Sequence, residues 1–342
     1  SCRRAPRTCR GAGRPRGPLI CVSGGARTAR VVAEALGEPF ASIKAWVGPC
    51  AGLMTETVEV EGSAAMCGVV WGKTAPEFFV SDSSAGLREK LARRRGTVLG
   101  FWPAVHLEGE PEHAAHAPGE VGAGYAENQL HALGLGAQLV ETAPYAALSF
   151  TSEAPLIHTA SACRHVAGPF EITAADGRVV LALDGKPALP VFSQYAGGGR
   201  HAGLMLVGLH SQHDPARVLV RPLRGIDPTR KALVLPGPPL VRQKLSFLVR
   251  DAQVARAGVE QAAEHAKSEI RGSKPRFGIY LSGAGRGRGL YGELGSEPRA
   301  LRKSFLRTPI IGLHTSYEVM SEGEVAEITT GSGVLLMFRA LS

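Results

Sequence analysis

The chain has 342 residues, 44% of them apolar and 20% charged, with a formal net charge of +9. This composition is ordinary for a folded soluble protein of one or two domains, and the longest apolar runs are strand-sized, far below the ~20 residues of a membrane-spanning helix. The charge does not mark a nucleic-acid binder: arginines 3, 4, 7, 10, 14 and 16 carry most of the excess, whereas nucleic-acid surfaces spread basic residues over a folded face.

Glycine is abundant at 43 residues, proline numbers 23 and aromatics make up only 6%, so many strands and turns are expected rather than a helical bundle. Residues 1–17 read as a basic tail, either a disordered end or the remnant of a mitochondrial or plastid targeting segment. They have no apolar h-region, so secretion is not expected. The reading is intracellular, in the cytoplasm or, if the tail is such a remnant, the chloroplast. Six cysteines, at 2, 9, 21, 50, 67 and 163, contain no C-x-x-C pair and suggest neither a zinc site nor a disulfide framework.

In chain order, residues 18–22 (PLICV) form a strand and Ser23-Gly24-Gly25 a turn. Residues 26–36 form a helix stopped by Gly37. Strands follow at 43–47, 58–60 and 64–71, a short stretch at 78–80 reads as a further strand or a loop, and then come a basic helix marked by Leu87 and Leu91 and a strand at 97–102. Residues 108–126 lack periodicity and read as a loop, and 128–134 as a short helix. Residues 170–183 form a hairpin turning at Asp176-Gly177. Residues 195–201 (YAGGGRH) are a glycine-rich turn, with strands at 204–209, 218–221, 232–235 and 245–249. Asp251 is the N-cap of the longest helix, whose Ala252, Ala255, Val259, Ala262, Ala263, Ala266 and Ile270 share one face. A strand at 277–281 runs into glycines 283, 285, 287, 289 and 292. A helix near 297–305 and strands at 309–313 and 334–338 complete the chain.

The first and last sections share an order of parts. PLICVSGG, SIKAWVG and AMCGVVW match FGIYLSGAG, TPIIGLH and GVLLMF, which aligns Ser23 with Ser282 and Gly48 with Gly312. The fold class expected is mixed α/β: two related units of mixed sheet with helices on the outer faces.

Several of these blocks carry a family resemblance. VLVRPLRGIDPTRKALVLPG (218–237), LSFLVRD (245–251), GAGRGRGLYG (283–292) and PIIGLHTSYEV (309–319) resemble the C-terminal FIST domain. The earlier half, with PLICVSGG and AMCGVVWG, resembles the N-terminal FIST domain, and LALDGKPAL (181–189) suits their junction. The resemblance implies an N-terminal FIST-like domain at 18–185 and a C-terminal one at 186–342. It implies a ligand-sensing or signal-transduction module with no settled catalytic residues. Some relatives carry an F-box, and a ligase-adaptor role is not expected here. Some bacterial relatives are described as haem-containing nitric-oxide sensors. His158, His165, His210 and His314 are the candidate axial ligands, and nothing selects one. The family pattern Gly-Glu-Ile is Tyr317-Glu318-Val319 here, keeping the acid and losing the glycine.

The candidate ligand site is the turn with Gly283, Gly285 and Gly287, whose Arg286 and Arg288 would donate charge-assisted hydrogen bonds to a carboxylate or phosphate. It is also readable as a structural corner whose arginines bond carboxylates such as Glu318. A dinucleotide fingerprint fails because its third glycine falls on Arg288. Arg200 and His201 after Gly197–Gly199 form a second candidate turn. His113 and His116 lack a metal-site spacing, and no G-x-S-x-G elbow exists. The function expected is non-enzymatic: a sensory module binding a small anion or a protein partner, without a metal or other cofactor called from spacing. The alternative is a structural subunit docking on a larger complex.

Overall fold

The apolar runs alternate between two destinations, and that alternation fixes the architecture. In the computed structural model, Phe277, Ile279 and Leu281 of the Pro275–Ser282 strand enter a central core, while Tyr280 between them faces helices. Val334, Leu336 and Phe338 of Gly333–Arg339 do the same, with Leu335 and Met337 facing the helices. A sheet buried on both faces needs both kinds of position apolar, so these strands read as continuous apolar runs. The structure describes residues 17–23, 31, 44–63, 65–71, 76–92, 94, 96–103, 120–125, 131–135, 138–151, 154–196, 205–212, 217–270, 274–283, 285–322 and 325–339. Residues 1–16 of the basic tail, the helix expected at 26–36 apart from residue 31, His113, His116, Arg200 and His201 lie outside these residues.

Three sheets repeat one pairing order. In the first, Gly17–Ser23 has Lys44–Cys50 as parallel neighbour and Ala65–Trp71 as antiparallel neighbour. In the second, Thr97–Pro103 stands between parallel Glu120–Tyr125 and antiparallel Tyr145–Phe150. In the third, Pro275–Ser282 stands between parallel Ile310–His314 and antiparallel Gly333–Arg339. A hairpin extends the parallel side of each, and it always comes from another sheet's stretch of chain. The hairpin Gly52–Thr55/Glu59–Glu61 follows the first sheet's parallel strand and joins the third sheet. The hairpin His131–Leu135/Gln138–Ala143 follows the second's and joins the first. The hairpin Tyr317–Glu322/Val325–Thr329 follows the third's and joins the second.

The expected correspondence of first and last sections is present in register. Cys21 pairs with Gly48 and Ser23 with Cys50, as Tyr280 pairs with Gly312 and Ser282 with His314. Two expectations need correction. Strand Glu120–Tyr125 lies in the stretch read as loop, and strand His131–Leu135 lies where a short helix was expected. Glycines and small residues in EVGAGY and HALGL weaken the local strand signal, and pairing with neighbouring strands decides instead.

Leu53 from the first hairpin, Leu99, Phe101 and Leu148 from the second sheet and Phe277, Ile279 and Phe338 from the third meet in one central core. Helix Ser84–Leu91 covers the outer face of the second sheet through Leu87 and Leu91. Helices Ala252–Glu269 and Ser296–Ser304 cover the outer face of the third.

A fourth sheet has its own core, with Ile172, Val180, Leu183, Val207, Leu233, Leu245 and Phe247. Its strands include Cys163–Asp176, Val179–Leu183, Met205–His210 and Lys244–Arg250. It spans the expected boundary at residues 185 and 186. Helix Ala188–Tyr195, which was not among the expected elements, packs into this core. Val220 ties the fourth sheet to the end of the Val325–Thr329 strand, donating to Thr329 Oγ1 and accepting from the Thr330 N–H.

Candidate functional site

Strand Pro275–Ser282 of the third sheet is followed by a turn in which the Arg286 N–H donates to the Gly283 carbonyl at 3.1 Å, near the start of helix Ala252–Glu269, where Arg286 reaches the Ala255 carbonyl. Gly285 and Gly287 have φ of 80° and 67°, a left-handed region that favours glycine. Gly283 is required by closeness: a Cβ there would stand 2.4 Å from Glu318 Oε1 and 2.6 Å from the Ser332 carbonyl oxygen.

Arg286 points inward. Its side chain is out of solvent, and so is that of its partner Glu297, which accepts from Nε. Nη1 donates to the carbonyls of Ala160 and Gly331 at 3.2 Å each, and Nη2 to the Ala255 carbonyl at 3.4 Å and Tyr291 Oη at 3.3 Å. All five N–H donors of the guanidinium are thereby used within the chain. Glu297 also accepts from Ser282 Oγ at 2.6 Å and Tyr291 Oη at 2.9 Å. Burial pushes its carboxyl upward, but Arg286 and these hydrogen bonds override it and hold the group below its ordinary value. The carboxylate that meets Arg286 is therefore Glu297, not Glu318.

Glu318 is fully buried beside Gly283. It accepts from Thr315 Oγ1 at 2.8 Å and from the Ser332 N–H at 3.2 Å. Burial pushes its carboxyl up to about 8, against the pull of these two bonds and of Arg286 and Arg250. At neutral pH the group is mostly uncharged. Tyr317, standing where the family pattern has glycine, is a core residue whose hydroxyl donates to the Pro103 carbonyl at 3.1 Å.

Arg288 is exposed. Its backbone N–H, not its guanidinium, makes the contact, donating to Glu61 Oε1 at 3.0 Å.

The cation that reaches the turn is Arg250, the last residue of strand Lys244–Arg250. It pairs in register with Cys163, just before the N-cap Asp251. Its guanidinium lies across Gly285 so closely that a Cβ there would stand 1.6 Å from Nη1. Its Nε is buried with no hydrogen-bond partner, and among the described residues no carboxylate pairs with it. The neighbouring Asp251 faces Arg164 and caps its helix through the N–H groups of Gln253 and Val254. The sequence offered one signal for Arg250: it sits in LSFLVRD, a polar residue at the mouth of a buried strand.

The haem candidates are scattered. His210 is 3.0 Å from Ser246 Oγ, His165 is exposed, and His158 lies 3.6 Å from Glu269, its ring pushed down by burial. His314 stands with Glu59 and Glu61. Among the described residues, this is the one group of side chains close enough together to hold a metal ion. No helix among the described residues is long and apolar enough to cross a membrane.

Two proteins of Mycobacterium tuberculosis, uncharacterized protein MT0656 of strain CDC 1551 / Oshkosh and uncharacterized protein Rv0628c of strain ATCC 25618 / H37Rv, are each 27% identical over 168 residues. The match covers 46% of this chain and 44% of each relative, so the chain spans less than half the length of these curated relatives. The FIST C domain model matches residues 188–321, while the expected N-terminal FIST domain is not matched. Arg250, Arg286, Glu297 and Glu318 all fall inside the segment that the FIST C domain model matches.

Proposed function

We propose that the chain is a non-enzymatic sensory module that binds a small anion, a carboxylate or phosphate, where Arg250 crosses the glycine turn at 283–287. The observation that carries this reading is the buried, unpartnered Nε of Arg250. A buried guanidinium N–H without an acceptor is costly, and a carboxylate or phosphate matches its fork. The adjacent carboxyl cannot serve as counter-ion, because Glu318 is mostly protonated at pH 7. The adjacent arginine offers no competing donors, because Arg286 is satisfied by Glu297 and its other four contacts. The same reading takes residues 18–185 as an N-terminal FIST-like unit, supported by the pairing order that the first and third sheets share.

A thermal-shift screen of the full chain at pH 7 with amino acids, organic acids and phosphates tests the proposal. At least one anion is expected to raise the melting temperature of the wild type and not of Arg250→Met. No shift from any anion, or equal shifts in both proteins, contradicts it.

A further inference from the structure

We infer that Glu59, Glu61 and His314 form a binding site for a divalent transition-metal ion, one that the anion proposal neither needs nor supplies. The hairpin exchange builds it. Glu59 and Glu61 alternate along one strand of the first hairpin, so both project from the same face. His314 ends the Ile310–His314 strand, which pairs directly with Gly52–Thr55, the first strand of that hairpin.

His314 Nε2 lies 3.0 Å from Glu59 Oε1 and 3.9 Å from Glu61 Oε1, and one donor atom from each residue falls within 4.8 Å of the others. Two donors bound to one ion at ~2.1 Å stand roughly 3 to 3.4 Å apart. Glu59 has no exposed side-chain surface. Its Oε1 and His314 Nε2 are buried without a hydrogen-bond partner, facing each other out of line for a hydrogen bond.

The outer contacts hold the donors in place. The Gly295 N–H donates to Glu59 Oε2, leaving Oε1 turned to the histidine, and the Arg288 N–H donates to Glu61. Two glycines make room. A Cβ at Gly287 would stand 1.9 Å from Glu61 Oε1, and one at Gly52 would stand 2.7 Å from the His314 ring. Among the described residues no lysine or arginine side chain pairs with either glutamate, so two carboxylates and an imidazole offer an oxygen and nitrogen donor set suited to a divalent transition metal. Glu61 is 32% exposed, which gives an entry path and an open coordination side for water.

The test uses tag-free full-length chain, stripped with chelator and dialysed against Zn²⁺, with metal content measured by mass spectrometry. About one Zn²⁺ per chain is expected, with a rise in melting temperature. Glu61→Gln and His314→Asn are each expected to weaken binding at least tenfold with circular dichroism unchanged. Glu61→Gln, at a partly exposed position, keeps the test decisive if His314→Asn does not fold. Failure of the wild type to retain Zn²⁺ overturns the site. So does equal binding by wild type and variants, which would place the ion on the cysteine thiols.

Discussion

The Arg250 guanidinium lies against Gly285, nearer than any side chain at that position would allow. Gly285→Ala must therefore do two things. It forces a residue with a Cβ into φ of 80°, and it drives the methyl group into the guanidinium. The first effect alone costs about 1–2 kcal/mol. Gly177→Ala, at φ of 52° with open space around it, carries only that first cost. Urea denaturation is expected to show the larger loss for Gly285→Ala, and anion-induced stabilisation is expected to vanish in that variant alone.

Arg286 and Arg288 are two residues apart in the same turn, yet they are predicted to behave oppositely. Arg286→Met leaves the Glu297 carboxylate buried without its cation and strips three carbonyls of a donor. Breaking one side of such a pair costs about 3–5 kcal/mol. Arg288→Ala removes an exposed side chain and keeps the backbone N–H that bonds Glu61, so stability is expected to move by less than about 0.5 kcal/mol. Thermal and urea unfolding of the two variants check this contrast.

Glu318 gives the fold a pH dependence of defined sign. Its carboxyl is raised from 4.5 to about 8 in the folded chain, so between those values the native state holds a proton that the unfolded chain releases. Its contribution is fully present below pH 4.5 and is lost as pH rises through about 8. The slope is at most about 1.4 kcal/mol per pH unit. Glu318→Gln keeps the neutral shape and is expected to flatten the stability profile between pH 5 and about 8 in urea titrations. An unchanged slope would contradict the neutral carboxyl.

The elements with strong local signals were legible before any coordinates. Asp251 before an alanine-rich face marks helix Ala252–Glu269, and the structure shows the carboxylate accepting two N–H bonds there. Ser23 and Ser282, with Gly48 and Gly312, revealed two of the three related sheets. The third copy stayed hidden because its parallel strand, residues 120–125, is glycine-rich and gains its conformation from Thr97–Pro103 and Tyr317–Glu322. The site was half legible for a similar reason. The glycine turn shows in the sequence, but which arginine faces it depends on partners far away in the chain. Glu297 and Ala160 claim Arg286, and strand pairing brings Arg250 over Gly285. Glu59 and His314 are 255 positions apart, and only the exchanged hairpin joins them.

The most direct measurement is an isothermal titration of the full chain with whichever anion gives the largest thermal shift, for wild type and Arg250→Met. Saturable binding with one site per chain is predicted, weakened at least tenfold in the variant, about 1.4 kcal/mol. The same affinity in both proteins would mean that Arg250 does not hold the anion, and the account of the turn as a sensory site would be wrong.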